Sequence, residues 1–275
     1  MRGLVEYSSS SDDEGGSAAA ADTATPAAAN PAASPPRPPP RVRSFPHVAG
    51  QFAVHTHVPV EVGADLADRL RGVAARLAPA VPGLTLADAL RVPGRAQAPT
   101  ASAATAAATA APLPPHPTLH LSLSRVAPLA SRNVPALTDG LAATLTEAVG
   151  LPAAGFGLAL AALAALENDD GTQCFLAAAP VRGGDGSPSL AAFTATVAAV
   201  DAAGALVGLP PFYRHPAPHV SFAWAPGGSA AALRAAVADT PWPGPAWDLP
   251  VRRVACRVGK RVVTVWRSSS GGGGG

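Results

Sequence analysis

The sequence contains two short stretches with the same polar pattern, HLSLS at residues 120–124 and HVSFAW at residues 219–224. Both alternate polar and apolar side chains, which is typical of a strand that buries one face. Residues two apart on a strand share a face, so each stretch places an imidazole and a hydroxyl on its polar side. The candidate catalytic residues are therefore the histidines and first serines of the two motifs: His120, Ser122, His219 and Ser221. Facing one another, they would provide a proton acceptor, a proton donor and two hydroxyl donors, a set suited to phosphodiester chemistry without a metal.

Low-complexity segments divide the 275-residue chain. Residues 1–44 contain an acidic SSSSDDE run followed by Ala-, Thr- and Pro-rich sequence, and this composition predicts a disordered tail. Residues 45–267 are predicted to form the folded domain, with an Ala/Thr/Pro-rich insert at about residues 93–117. The Ser- and Gly-rich residues 268–275 are predicted to form a second disordered tail.

Composition and charge narrow the class of protein. The net charge is +2, which is compatible with a phosphate-bearing ligand but does not require one. The two cysteines, Cys174 and Cys256, are too few for a disulfide framework, and this favours a reducing compartment. No apolar run reaches the roughly 18 residues of a membrane span, and the acidic N-terminus is unlike a signal peptide. We therefore expect a soluble, intracellular protein that does not bind a membrane.

The order of the predicted elements indicates an internal duplication, because each HxS strand is preceded by a strand-and-helix unit and followed by a helix. In chain order we predict a strand at residues 52–60, a helix at 65–77, the first HxS strand, a helix at 134–149, a hairpin of 156–166 with 173–180, a helix at 189–207, the second HxS strand, a helix at 229–237 and a hairpin of 251–258 with 261–266. This order predicts an α+β fold of two pseudo-symmetric lobes. Each lobe would have an antiparallel sheet and helices, with an active-site cleft between the two sheets.

Histidines outside the serine pairs raise the alternative of a metal site. Two pairs have the i,i+4 spacing that binds metal on a helix: His116 with His120, and His215 with His219. Neighbouring prolines exclude a helix at both places, so we predict no metal there and no cofactor. His55 and His57 share one face of the strand at residues 52–60, and we interpret them as hydrogen-bonded structural histidines rather than ligands.

Longer blocks of sequence resemble a known family. LVEYSSSSDDE near the start, SFPHVAGQFAVHTHVPV at 44–60, HLSLSR at 120–125, FYRHPAPHVSFAW at 212–224 and CRVGKRVVTV at 256–265 resemble, in this order, the U6 small nuclear RNA phosphodiesterases (the Usb1 or Mpn1 family) of the two-histidine (2H) phosphoesterase superfamily. The resemblance covers the folded region apart from the insert, and it implies the 2H phosphoesterase fold.

The resemblance also implies an enzyme, a metal-independent 3′–5′ exoribonuclease that trims the 3′ oligouridine tail of U6 RNA. The implied product is a 2′,3′-cyclic phosphate, which some family members open to a 3′-phosphate. The family's four catalytic residues correspond to the histidines and serines named above. The implied setting is the nucleus, where a monomer would bind the single-stranded 3′ end of U6 RNA and associate with the spliceosomal U6 ribonucleoprotein.

Two residues before the second motif are implied to bind substrate. The family's tyrosine that stacks on the terminal nucleobase corresponds to Tyr213. The next position, commonly glutamine in animal members, is Arg214 here, so the contacts to the base edge and the preference for uridine over adenosine stay open. We assign the base role to His219, which lies beside this segment, and the acid role to His120, although the two could exchange roles in ring opening.

Histidine suits both the acid and the base role because its unperturbed pKa of about 6.5 lies near working pH.

The sequence leaves two alternative functions open. One is another 2H activity, such as a cyclic phosphodiesterase or a 2′–5′ RNA ligase-like enzyme of transfer-RNA metabolism. The other is a nucleotide- or RNA-binding module that keeps the fold without turnover.

Overall fold

The computed structural model describes residues 48–91, 119–181 and 187–269. The predicted N-terminal tail, the predicted insert and residues 270–275 lie outside the described residues, so the proposed domain boundaries stay predictions. The last strand ends at Arg267, and the backbone N–H groups of Ser268 and Ser269 donate to the carbonyls of Arg252 and Ala153.

The described part of the chain forms eleven strands and four α-helices. The strands are β1 Gln51–Val60, β2 Thr85–Leu86, β3 Leu119–Ser122, β4 Ala127–Ala130, β5 Phe156–Leu160, β6 Ala162–Glu167, β7 Gln173–Ala179, β8 Val220–Pro226, β9 Trp247–Val251, β10 Arg253–Val258 and β11 Arg261–Arg267. The helices are α1 Ala64–Leu77, α2 Val134–Glu147, α3 Pro188–Ala205 and α4 Ala230–Ala238. All four predicted helices and both predicted HxS strands are confirmed within a few residues, whereas β2, β4 and β9 are additional strands.

Nine strands form one antiparallel sheet, whose main path runs β11-β10-β1-β3-β8-β7-β6, with β4 on β1 and β2 on β8. Each HxS strand belongs to one half of this sheet, and the halves join where Leu121 of β3 pairs with Val220 of β8. The α+β fold class is confirmed. In one respect the arrangement differs from the sequence-based expectation, because the two motifs lie side by side in a continuous sheet instead of facing each other from two sheets. Their backbones pair directly at Leu121 and Val220, so the two motifs are neighbours within one sheet.

The predicted hairpin of residues 156–166 with 173–180 is correct only in its second half. β6 pairs with β7, whereas β5 leaves the main sheet and pairs with β9 in a separate two-stranded sheet. The change occurs at Ala161, whose N–H still donates to the carbonyl of Ala179. Leu158 and Leu160 are buried, and β5 packs near helix α3. The apolar residues thus predict a strand, but they do not specify which strand it pairs with.

The apolar faces of the HxS strands lie in the core. Leu121 and Val220 are fully buried, and they point away from the histidine-bearing face because neighbouring strand residues alternate. Phe222 is also fully buried and lies at a β-bulge, where the register of β8 against β7 shifts by one residue. Helix α3 is the one described helix that is long and apolar enough to cross a membrane, judged by length and composition alone. Its buried residues include Phe193 and Val200, which belong to the hydrophobic core of the fold.

Candidate functional site

The two HxS motifs meet crosswise at the join between the sheet halves. Leu121 of β3 is paired with Val220 of β8, and the two strands run antiparallel. We continue this register by one residue on either side of the pair. It sets the histidine of each motif across from the serine of the other: His120 opposite Ser221, and Ser122 opposite His219. Residues across an antiparallel pair lie about 4.5–5.5 Å apart, and diagonal neighbours lie about 7–8 Å apart. The four residues, called the tetrad below, therefore share one face, with the two histidines on a diagonal.

A backbone contact fixes the tautomer of His219. Its Nδ1 lies 3.0 Å from the carbonyl oxygen of Ala217, and a carbonyl can only accept, so Nδ1 carries the proton. In the neutral ring, Nε2 is then the nitrogen that can accept a proton. Burial lowers the pKa of His219 below its usual value, more strongly than the bond to Ala217 raises it. His219 is therefore prepared to act as a base near neutral pH.

Ser122 is held by a histidine from the neighbouring strand. Nε2 of His55 lies 3.1 Å from Oγ of Ser122. Burial lowers the pKa of His55 well below its usual value, and the nearby positive charges of His120, His57 and Arg257 lower it further. His55 is therefore a neutral hydrogen-bonding partner. The predicted hydrogen bonding of His55 is confirmed, and its partner is a serine of the tetrad.

His55, His57 and His120 form a compact cluster beside this hydrogen bond. The rings of His55 and His57 are stacked with centroids 5.1 Å apart, and the ring of His120 lies edge-on at 5.1 Å from His55 and 5.8 Å from His57. His57 is buried, and its Nδ1 donates to the carbonyl of His55 at 3.3 Å. Burial lowers the pKa of His57. The predicted hydrogen bonding of His57 is thus confirmed, and its structural role stays a prediction.

The third polar residue of the first motif has a structural role. Oγ of Ser124 accepts the backbone N–H of Thr56 at 2.8 Å and donates to the carbonyl of Arg125 at 3.0 Å. These bonds fix the chain as it leaves β3. Ser124 therefore holds the end of β3 against β1.

Tyr213 is joined to the first motif by Arg125. The guanidinium carbon of Arg125 lies 4.4 Å from the centroid of the Tyr213 ring, and its Nη1 forms a 2.6 Å ion pair with Asp169 in the β6–β7 turn. Burial and the nearby carboxylate of Asp169 raise the pKa of Tyr213. The ring is 40% exposed, so it remains accessible for stacking. Sequence reasoning missed both partners; the position of Arg125 directly after HLSLS was the available signal.

The backbone beside Tyr213 is anchored as well. The N–H of Phe212 donates to Oδ1 of Asp201 on α3 at 2.8 Å. Arg214 is exposed, and within the described part of the chain its side chain makes no hydrogen bond or ion pair. The structure therefore brings Tyr213 into contact with the first motif but gives Arg214 no partner there.

Within residues 48–91, 119–181 and 187–269, no group of three His, Cys, Asp or Glu side chains is placed to hold a metal ion. His116, one of the histidines considered as a ligand, lies outside these residues.

A family model described as "HVSL: Uncharacterised conserved protein" matches residues 21–266, which is most of the chain. The chain belongs to the HVSL family. No curated protein sequence matches the chain.

Solved structures give the fold. Usb1 of Kluyveromyces marxianus matches with a TM-score of 0.51 and 14% identity, over 79% of this chain and 98% of that one. The same protein with uridine monophosphate matches at 0.49 and 16% identity, over 78% and 97% of the two chains. LigT of E. coli complexed with NADP+ matches at 0.45 and 14% identity, over 81% and 100%. At these identities the first match is a likeness of fold, and the predicted resemblance to the Usb1 fold is confirmed at that level.

Proposed function

We propose that this HVSL-family protein is a metal-independent phosphodiesterase that shortens single-stranded RNA from its 3′ end. The observation that carries the proposal is the crosswise tetrad, with a histidine and a serine from each HxS strand on one face of the sheet, where His120 is exposed and the other three residues are half-buried. Two histidines on a diagonal of about 7–8 Å leave room for a phosphate between them. Such a pair can remove a proton from one oxygen of the phosphodiester and return a proton to another.

The proposed reaction begins at the 2′-hydroxyl of the penultimate nucleotide. Nε2 of His219 takes its proton, and the 2′-oxygen attacks the phosphorus of the bond to the terminal nucleotide. The new P–O2′ bond forms as the bond to the departing 5′-oxygen breaks. His120 protonates that oxygen, which releases the terminal nucleotide and leaves a 2′,3′-cyclic phosphate. Opening by water, with the two histidines in exchanged roles, would give a 3′-phosphate.

The serines stabilise the charge that develops on the non-bridging oxygens. A preorganised donor of this kind contributes about 2.7–4 kcal/mol where one has been removed by mutation. For Ser122 to donate to phosphate, His55 must donate its Nε2–H to the serine oxygen, so that the hydroxyl proton is directed outward. The 3.1 Å contact and the neutral state of His55 support this arrangement.

The substrate we propose is the oligouridine tail of U6 RNA, bound in the nucleus by a monomer that associates with the U6 ribonucleoprotein. Tyr213 would stack on the terminal nucleobase with the ring face that Arg125 does not cover, and Arg214 would lie beside the base edge. The family resemblance of the FYRHPAPHVSFAW block supports this assignment. Stacking accepts any base, so discrimination would come from the neighbouring contacts.

The test is digestion of a uridine-tailed RNA in EDTA, with product ends identified by mass spectrometry. We expect the RNA to be shortened one nucleotide at a time and to end in a cyclic phosphate. His120→Ala and His219→Ala should each abolish this cleavage. Arg76→Ala, on the exposed side of α1, is the matched control and should retain activity. Faster turnover of a small cyclic phosphate or a 2′–5′ dinucleotide than of the tailed RNA would favour the other 2H activity. RNA binding without any cleavage would contradict an enzymatic role.

A further inference from the structure

Arginines lie on the same face of the sheet as the tetrad, at the edge formed by β10 and β11. Arg257 of β10 lies directly across from His55 of β1. His57 of β1 pairs with Ala255 of β10, and Arg253 lies two residues beyond Ala255 on the same strand. Arg267 of β11 pairs with Arg253. Residues across a pair share a face, so these arginines extend the polar face away from the tetrad. We call Arg253, Arg257 and Arg267 the arginine row.

The arginine row has no acidic partner among the described residues. The ion pairs of this part of the chain involve other arginines. Arg257 and Arg267 are exposed and Arg253 is half-buried, with Arg253 and Arg267 directly opposite each other. Like charges in opposed positions destabilise a sheet, and a bound anion would relieve that repulsion.

The positive charge of Arg253 and Arg257 acts on the histidine cluster beside the tetrad. Arg257 lowers the pKa of His55 and of His57, and Arg253 lowers the pKa of His57. The row is therefore continuous with the histidine cluster rather than a separate basic patch.

The distance from the tetrad suits a short length of RNA. Strands lie about 4.7–4.9 Å apart, so β10 and β11, two and three strands from β3, lie roughly 10–15 Å from the tetrad. At about 3.4 Å per nucleotide of stacked strand, this spans about three to four nucleotides. Tyr213 contacts Arg125, and Arg125 is ion-paired with Asp169 in the β6–β7 turn. The row is in the other half of the sheet, where RNA leading to the site would lie.

We propose that the arginine row binds the phosphates of the single-stranded RNA upstream of the scissile bond. This inference rests on the proposed function, and it adds a second binding region that positions longer substrates. It predicts that the arginine row contributes to affinity and to kcat/KM only for longer RNA, because a dinucleotide bound at the tetrad ends before it reaches β10.

Binding is tested with an octauridylate that carries a 2′-deoxy penultimate sugar, so that affinity is measured without cleavage. Each phosphate contact contributes about −0.7 to the slope of log affinity against log salt for a single strand. Replacing all three arginines by alanine should therefore reduce the slope by about 2. Between 50 and 200 mM salt, wild type should lose about twentyfold more affinity than the triple variant. Arg76→Ala should keep the wild-type slope, and Arg257→Ala, at an exposed position, provides a single-residue version with a reduction of about 0.7.

Cleavage distinguishes this inference from the proposed function. In the triple variant kcat/KM should fall at least tenfold more for a cleavable octauridylate than for a diuridylate. Equal losses on both substrates, or an unchanged salt slope, would overturn the role of the row. If wild type cleaves neither substrate, the proposed function fails, and the slope on the non-cleavable RNA still decides whether the row binds RNA. Equal competition by polyglutamate would instead indicate a site for acidic protein.

Discussion

His55 offers the sharpest test of how the site is organised, because it touches Ser122 without belonging to the tetrad. Replacing it with phenylalanine removes the 3.1 Å contact but keeps a ring of similar size. Glutamine restores an N–H donor at a position similar to that of the imidazole Nε2. The first variant should slow cleavage, and the second should recover part of the loss.

The expected decrease in kcat of His55→Phe follows from the loss of a single hydrogen bond. Such a bond contributes about 0.5–1.5 kcal/mol net, which corresponds to a decrease in kcat of about 2- to 13-fold for His55→Phe. Ser122→Ala removes the donor itself and should cost about 2.7–4 kcal/mol, or roughly 10²–10³ in kcat. The difference between these magnitudes separates a positioning residue from a catalytic one.

Single-turnover cleavage of a uridine-tailed RNA in EDTA measures this effect in a double-mutant cycle. If His55 acts through Ser122, His55→Phe should change kcat by less than twofold in the Ser122→Ala background. The same loss in both backgrounds would refute the reasoning, and so would a glutamine variant as slow as the phenylalanine variant. Urea unfolding of each variant checks that stability is retained.

Three further predictions concern substrate binding, pH and stability. Tyr213→Ala should raise KM about 5- to 150-fold, because a base stack contributes about 1–3 kcal/mol; Arg125→Ala should raise KM less, and an equal effect would assign the stack to Arg125. Because burial lowers the pKa of His219, its neutral, basic form should persist below the usual histidine range. The acid limb of the kcat/KM–pH profile should therefore have its midpoint below about 6.5; a midpoint above that value would contradict His219 as the base. Leu121→Ala should lower the free energy of unfolding by about 2–5 kcal/mol in urea, because Leu121 is fully buried behind the tetrad, and a loss below 1 kcal/mol would argue against that packing.

The local pattern predicted the elements of the site because strand alternation is a property of neighbouring residues. The four tetrad residues were expected on polar strand faces, and the structure places them on one face. Alternation contains no information on which strand pairs with which, so the direct pairing of β3 with β8 and the departure of β5 to β9 were not predictable.

The contacts that support the tetrad join residues that are far apart in the sequence, so they could not be predicted from the local pattern. The contact from His55 to Ser122 depends on β1 lying beside β3. In the sequence these two strands are separated by α1, β2 and residues 92–118. Arg125 and Tyr213 are likewise distant in sequence and meet only because the sheet halves join. The sequence pattern therefore predicts the candidate reacting groups, whereas the residues that contact them emerge only from long-range packing.

The central claim is that the 2′-hydroxyl of the penultimate nucleotide attacks the scissile phosphate without a metal. The most direct measurement compares two oligouridylates in EDTA, one with a 2′-deoxy group at the penultimate sugar and one with it at the terminal sugar. Removal of the penultimate 2′-oxygen should abolish release of the terminal nucleotide, whereas removal of the terminal one should leave cleavage within a few-fold of the all-RNA substrate. Release of the terminal nucleotide at a comparable rate from both oligonucleotides would contradict the account.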